Sequence, residues 1–290
     1  MDWQKGEESQ NLEDRRRMSP QTLAVGGIGT LLLLVVGYLF GVNPQMLNRL
    51  IGNAQVGAGR NGQVAQGPAT AEEERSRRFA ATILGFTEKV WGEQFRKAGR
   101  QYVPPHMVLF TDQIQTGCGN APAAVGPFYC PADKTVYLDP TFFDELQQTL
   151  GGSKAEFSQA YVIAHEVGHH VQNLLGYSRI VDEKRRTLPK AEFNQWSVRL
   201  ELQADYLAGV WGHYGQEEFH FIEPGDVESA IQSANAIGDD RLQKRARGFT
   251  SPESYTHGTS SQRLKWFSQG LKTGDMRMLR RIFEVPYNEL

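Results

Sequence analysis

The chain has 290 residues, 40% of them hydrophobic, with 31 basic and 33 acidic side chains and a formal net charge of −2. That apolar content suffices for a substantial core in one or two domains, and the near balance of charge excludes the basic footprint of a nucleic-acid-binding protein.

The amino-terminal region stands apart in composition. No charged residue lies between Arg17 and Arg49, and Thr22 to Val42 contains the run Leu31-Leu-Leu-Leu-Val-Val36. About 20 helical residues cross a ~30 Å hydrocarbon core, so residues 21–42 are predicted to form one transmembrane helix with the lipid bilayer as partner. Lys5, Arg15, Arg16 and Arg17 precede it, against Arg49 and Arg60 after it. The positive-inside rule then makes residues 1–20 a basic cytoplasmic segment and puts the remainder outside, the topology of a single-pass membrane protein. A cleaved signal peptide is the alternative, but the apolar run exceeds the usual span of about 7 to 15 residues and no small-x-small site follows closely, which favours a signal anchor. Residues 43–69, rich in Gly, Asn, Gln and Ala, read as a flexible linker.

Thr70-Ala-Glu-Glu73 is a capping-box start, and Phe79, Ile83, Phe86 and Val90 follow at helical spacing, so one domain is expected from residue 70 to 290. Met107–Phe110, Pro127–Cys130 and Thr135–Leu138 read as short strands, the last two turned into a hairpin by Pro131–Lys134. Cys118 and Cys130 are the only cysteines and flank a Gly-, Pro- and Ala-rich loop. A disulfide fits a domain outside the cytoplasm, with two buried thiols as the alternative. Asp139-Pro140 opens a short helix running to Leu150.

The stretch from Ala160 to Leu175 contains His165-Glu166-Val167-Gly168-His169, the His-Glu-x-x-His arrangement of zinc hydrolases. Ser153-Lys-Ala-Glu156 is read as a capping-box start, and Gly176 as the stop of that helix. Four residues apart on a helix, His165 and His169 share a face about 6 Å apart along the axis and can reach one tetrahedral ion. Glu166, turned by about 100°, is near the ion without being forced to ligate it, and can take a proton from water.

Zinc (Zn2+) needs a third protein ligand and an open position. Gln172 and Leu175 stand where a metzincin would carry Gly and His, so that class is excluded. From Pro189 to Gly215 the sequence predicts a second amphipathic helix with Glu201-Leu-Gln-Ala-Asp205 in its middle. Glu201 borders the apolar stripe and is the expected third ligand; Asp205, one turn on, is the expected acceptor for the free N–H of a ligating histidine. The plain alternative makes Glu201 a solvated acid paired with Arg199 or Lys190. Asp226 is read as the start of a further helix, with more helices beyond it. His257 lies in the polar turn Tyr255–Arg263 and is a candidate for stabilising the oxyanion, with a capping or surface role equally open. His170 is read as lying next to the ligands or facing solvent.

His-Glu-x-Gly-His-His followed by Glu-Leu-Gln-Ala-Asp resembles the bacterial membrane-anchored neutral zinc metallopeptidase family, a gluzincin-like group. The resemblance continues in Gly126-Pro-Phe-Tyr-Cys130, Val136-Tyr-Leu-Asp139, Ala236-Ile-Gly-Asp-Asp240 and Thr256-His-Gly-Thr259. It implies a zincin fold and peptidase activity. The expectation is therefore an α+β, mainly helical zincin-like metallopeptidase domain with a small sheet, behind one transmembrane helix. His165, His169 and Glu201 hold zinc, Glu166 is the base, and a peptide is the substrate. The competing class is a membrane-tethered binding or chaperone-like protein with a non-catalytic metal, against which the presence of Glu166 argues.

Overall fold

The computed structural model describes residues 1–17 and 68–290; the expected membrane span and all but the end of the expected linker lie outside the described residues. Among the described residues no helix is long and apolar enough to cross a membrane. The architecture is mainly helical with two small sheets.

Strand β1 (Leu12–Asp14) comes from the amino-terminal arm, and helix α1 (Ala71–Lys97) opens the main body. Thr70 accepts from the Glu73 amide while Glu73 reaches back to the Thr70 amide, the capping box expected from the sequence. Strands β2 (His106–Leu109), β3 (Gln113–Thr116), β4 (Gly119–Pro122), β5 (Phe128–Cys130) and β6 (Thr135–Leu138) follow. The larger sheet has the order β1-β2-β6-β5, with β1, β2 and β6 parallel and β5–β6 the antiparallel hairpin read from the sequence. Alternation along the strands splits the sheet's two faces. Met107, Leu109, Val136 and Leu138 enter the main core, while Val108, Tyr137 and Cys130 join Phe110 in a smaller cluster packed by Ile114 and Ala123 of the β3–β4 region. Cys118, between β3 and β4, is disulfide-bonded to Cys130 of β5 across a sequence separation of 12. In the chain-entropy model, closing so short a loop contributes up to about 3 kcal/mol.

The first 17 residues are the described part of the basic segment expected over residues 1–20. They wrap α1 and end as an edge strand, because a few anchors find matching recesses. Met1 and Trp3 are 8% and 3% exposed, Trp3 meets Phe79 edge-on at 5.3 Å, and the Met1 amino group lies 2.8 Å from Glu223 and 3.1 Å from Asp226. Gly85 lets the arm lie against the helix: a Cβ there would come within 2.4 Å of the Glu7 carbonyl oxygen. Full burial of a side chain such as that of Met1 or Trp3 contributes roughly 1.5–3 kcal/mol, so the arm is integral to the core.

The remaining helices are α2 (Phe142–Gln148), α3 (Glu156–Leu175), α4 (Tyr177–Thr187), α5 (Lys190–Phe219), α6 (Asp226–Ala236), α7 (Asp239–Arg247), α8 (Ser260–Thr273) and α9 (Met278–Glu284). Helix α3 starts from Ala155 without a side-chain cap, because the Ser153 hydroxyl binds the Ala155 amide, one residue before the Glu156 amide that the expected capping box would use; Gly176 ends it in the left-handed conformation, as expected. Helix α4 fills the interval between the two helices read from the sequence. It buries Val181 and stacks Tyr177 on Phe283 at 5.4 Å.

Two close approaches position the site. A Cβ on Gly168 of α3 would lie 3.1 Å from the Ala204 carbonyl oxygen of α5. On the other flank of α5, Gly209 faces the Phe267 carbonyl and Gly270 of α8 faces the Tyr206 carbonyl, with Cβ distances of 2.2 and 2.1 Å that no side chain could occupy. Glycine at these three points lets α3, α5 and α8 stack backbone to backbone.

Candidate metal centre

The Gly168–Ala204 approach sets the first turns of the His-Glu-x-x-His segment opposite Glu201, and the ligand atoms of His165, His169 and Glu201 all lie within 4.8 Å of one another. His165 Nε2 is 3.3 Å and His169 Nε2 3.6 Å from the same oxygen, Glu201 Oε2. The other ring nitrogens are held from behind. His165 Nδ1 lies 2.9 Å from Asp205 Oδ1, and His169 Nδ1 lies 2.8 Å from Gln172 Oε1, whose amide group in turn donates to the Leu200 carbonyl at 2.6 Å. With each Nδ1 directed at an acceptor, each Nε2 is turned toward Glu201 Oε2, the place a cation would take on displacing a proton. Two imidazole nitrogens and one carboxylate oxygen on a common point are a donor set that fits zinc with a position left for water or substrate. Arg199, offered above as a surface partner for Glu201, instead donates to the Ile282 carbonyl.

Asp205 is fully buried, and its charge is matched on every side. Its Oδ1 accepts from the Tyr161 hydroxyl at 2.6 Å and from Arg263 Nη2 at 2.9 Å besides facing His165, while Oδ2 accepts from Arg263 Nε at 2.8 Å. Burial alone would raise the Asp205 carboxyl, but Arg263 and His165 hold it down at about 2. Burial likewise opposes charge on His165, yet Asp205 and then Glu201 raise its pKa to about 10. Glu201, again despite burial, is held well below the usual carboxylate range by His169 and His165.

Glu166 behaves in the opposite way. It is 8% exposed, and burial raises its carboxyl above the ordinary value although His165 and His169 pull against it. A carboxylate raised toward neutrality is better matched to accepting and returning a proton.

His257 reaches the site from the loop between α7 and α8. Its backbone amide donates to Asp239 Oδ2 at 2.6 Å and its Nδ1 lies 3.2 Å from Asp239 Oδ1; the amides of Thr256 and Gly258 converge on the same carboxylate. Burial lowers the His257 pKa, but the Asp239 hydrogen bond and the negative charge of Glu201 outweigh it and raise the value. The side chain is 30% exposed.

His170 is neither a neighbour of the ligands' donor atoms nor solvent-facing. It is fully buried, with Nε2 donating to the Val103 carbonyl at 2.7 Å and Nδ1 accepting from the Tyr129 hydroxyl at 3.0 Å, which straps β5 to α3. Tyr161, Gln172, Asp239 and Arg263 were given no part in the site by the sequence. Gln172 could have been found by its i+3 spacing from His169, whereas Arg263 and Asp239 act across 58 and 18 residues from the groups they hold.

A family model described as "Putative neutral zinc metallopeptidase" matches residues 1–279. The chain belongs to that family. Its relatives in the neutral zinc metallopeptidase family include the uncharacterised protein YpfJ of Escherichia coli (strain K12), 44% identical over 282 residues covering 95% of this chain and 96% of YpfJ. The uncharacterised protein Mb2605 of Mycobacterium bovis is 47% identical over 183 residues, 60% of this chain and 61% of that protein. No solved structure matches the chain. Membership in a zinc metallopeptidase family agrees with the donor set of His165, His169 and Glu201 and supports hydrolase activity at the level of the family.

Proposed function

We propose that the chain is a zinc-dependent endopeptidase with a zincin-like catalytic domain. The observation that carries this reading is the convergence of two imidazole nitrogens and one carboxylate oxygen within 4.8 Å, with Glu166 buried next to His165 on the same helix. His165, His169 and Glu201 would hold the zinc, which when bound supplies Lewis acidity for the scissile carbonyl and for the attacking water. Glu166 takes the proton from that water and returns it to the departing amine. His257, whose Nδ1 lies 3.2 Å from Asp239 Oδ1, is the residue we assign to stabilising the negative oxygen of the tetrahedral state. Strand β5 pairs with β6 on one side and is strapped to the metal helix by Tyr129, so its other edge is a template for an extended peptide. On the opposite side of the sheet the edge strand is β1.

Attachment to a membrane through the apolar run of residues 21–42 is part of the proposal, and the Cys118–Cys130 bridge supports an oxidising, extracytoplasmic setting for the domain. The test is a comparison of peptide termini in the cell envelope between cells expressing the native chain and cells expressing Glu166→Gln. Termini that vanish only in the variant support a peptidase, and identical termini at equal expression would contradict it.

A further inference from the structure

We infer that the amino-terminal arm and the metal centre lie on the same side of the membrane. A single crossing between them, with the amino terminus in the cytoplasm, is the topology that counting basic residues predicts, and the fold does not permit it. This inference is independent of whether the site turns over peptides.

The arm is bound to the domain along its whole described length. The Asp2 amide donates to the Phe221 carbonyl at 2.9 Å, and the Ser9 amide to the Ala81 carbonyl at 3.0 Å. Glu88 of α1 accepts from Ser9 Oγ at 2.6 Å and from Asn11 Nδ2 at 2.8 Å. The Met107 amide donates to the Asn11 carbonyl and the Arg15 amide to the Leu109 carbonyl, which seats β1 in parallel register on β2. A segment joined in this way to the sheet beneath the metal helix cannot be across a bilayer from it, because a hydrocarbon core about 30 Å thick would separate groups that here hydrogen-bond directly.

The basic residues that set the expected orientation are engaged in the same body. Lys5 lies 2.7 Å from Asp2, Arg15 lies 2.6 Å from Glu13, and Arg16 pairs with Asp14 while donating to the Glu73 carbonyl at 2.9 Å. Arg17 pairs with the Glu73 carboxylate. Glu73 is in the first turn of α1, just past the point where the chain re-enters the described residues. Arg17, the last described residue of the arm, and the first turn of α1 are therefore held against each other on one face of the domain. The family match begins at residue 1, so the arm falls within the matched region rather than ahead of it.

The experiment is accessibility labelling of the full chain in spheroplasts. Lys5 and Arg280 are 85% and 84% exposed, so Lys5→Cys and Arg280→Cys report on the arm and on the carboxy-terminal part of the domain without touching the core. A membrane-impermeant maleimide is applied before and after lysis. We expect both positions to label before lysis; both protected until lysis would equally place them on one side. Labelling of one before lysis and the other only after would overturn the inference. A second measurement needs no substitution. A zero-length carbodiimide applied to native membranes should join Glu7 to Lys89, which lie 2.8 Å apart, as well as Asp144 to Lys154 within the domain. Recovery of the Asp144–Lys154 peptide without the Glu7–Lys89 peptide would likewise overturn it.

Discussion

Replacing Arg263 by Leu removes the guanidinium that makes two hydrogen bonds to Asp205, at 2.8 and 2.9 Å, inside a region where Asp205 is 0% and Arg263 3% exposed. Breaking a buried pair by deleting one partner leaves the other charge uncompensated and costs about 3–5 kcal/mol. Tyr161 and His165 remain on Asp205 Oδ1, so the lower half of that range, ~3 kcal/mol, is the expected loss. Replacing Asp205 by Asn in the same chain removes the stranded charge, and the double variant should recover about 1–3 kcal/mol of the deficit, a coupling typical of residues in one network. Urea unfolding of the full chain in detergent micelles, followed by tryptophan fluorescence, measures both. Metal content separates stability from ligand orientation: Asp205→Asn should also weaken zinc by about 10- to 100-fold, since an amide is a poorer acceptor for the His165 Nδ1–H. A loss below ~1 kcal/mol for Arg263→Leu, or strictly additive losses in the double variant, would refute the idea that Arg263 exists to hold Asp205 ionised.

Gly168→Val should push α3 from α5, because a Cβ there already lies 3.1 Å from the Ala204 carbonyl; zinc binding should fall along with stability by about 1–3 kcal/mol, read by metal analysis and urea midpoints. His170, whose ordinary value of 6.5 is lowered by burial to about 4, binds a proton more readily in the unfolded chain. Its contribution is thus present above pH ~6.5 and lost as pH falls toward ~4, a slope of the order of a few kcal/mol that His170→Gln should flatten in urea midpoints across that window. His257→Gln should leave zinc bound and lower kcat by ~10²-fold, the scale for one oxyanion donor, with KM little changed; an equal loss of metal would make His257 structural.

The centre itself was legible because metal chemistry is local. His165 and His169 share a helix face, and Glu201 with Asp205 had to lie on a second helix at the edge of an apolar stripe; the structure brings the first three together and sets Asp205 behind His165. The β5–β6 hairpin and the Cys118–Cys130 bridge were legible for the same reason, each spanning a few residues. Arg263 was not, because a lone arginine in a polar turn carries no sign of the buried carboxylate it will meet after α8 stacks on α5 through Gly209 and Gly270. Strand β1 was hidden as well. Leu12-Glu13-Asp14 has one apolar residue, and its pairing depends on a partner strand at residues 107–109, far along the chain. The basic residues beside it read naturally as a topology signal, whereas in the fold they are ion-paired with Asp14, Glu13 and Glu73.

The central claim is that Glu166 works on a proton while His165, His169 and Glu201 hold the metal. The direct measurement is zinc content and peptide hydrolysis on the same purified samples of the parent chain, Glu166→Gln and Glu201→Ala. Glu201→Ala should lose zinc and activity together, since two histidines are too few to hold the ion. Glu166→Gln should retain one zinc per chain while hydrolysis drops by at least ~10²-fold. A Glu166→Gln protein that hydrolyses peptides at the parent rate, or a Glu201→Ala protein that binds zinc as tightly as the parent, would contradict the account.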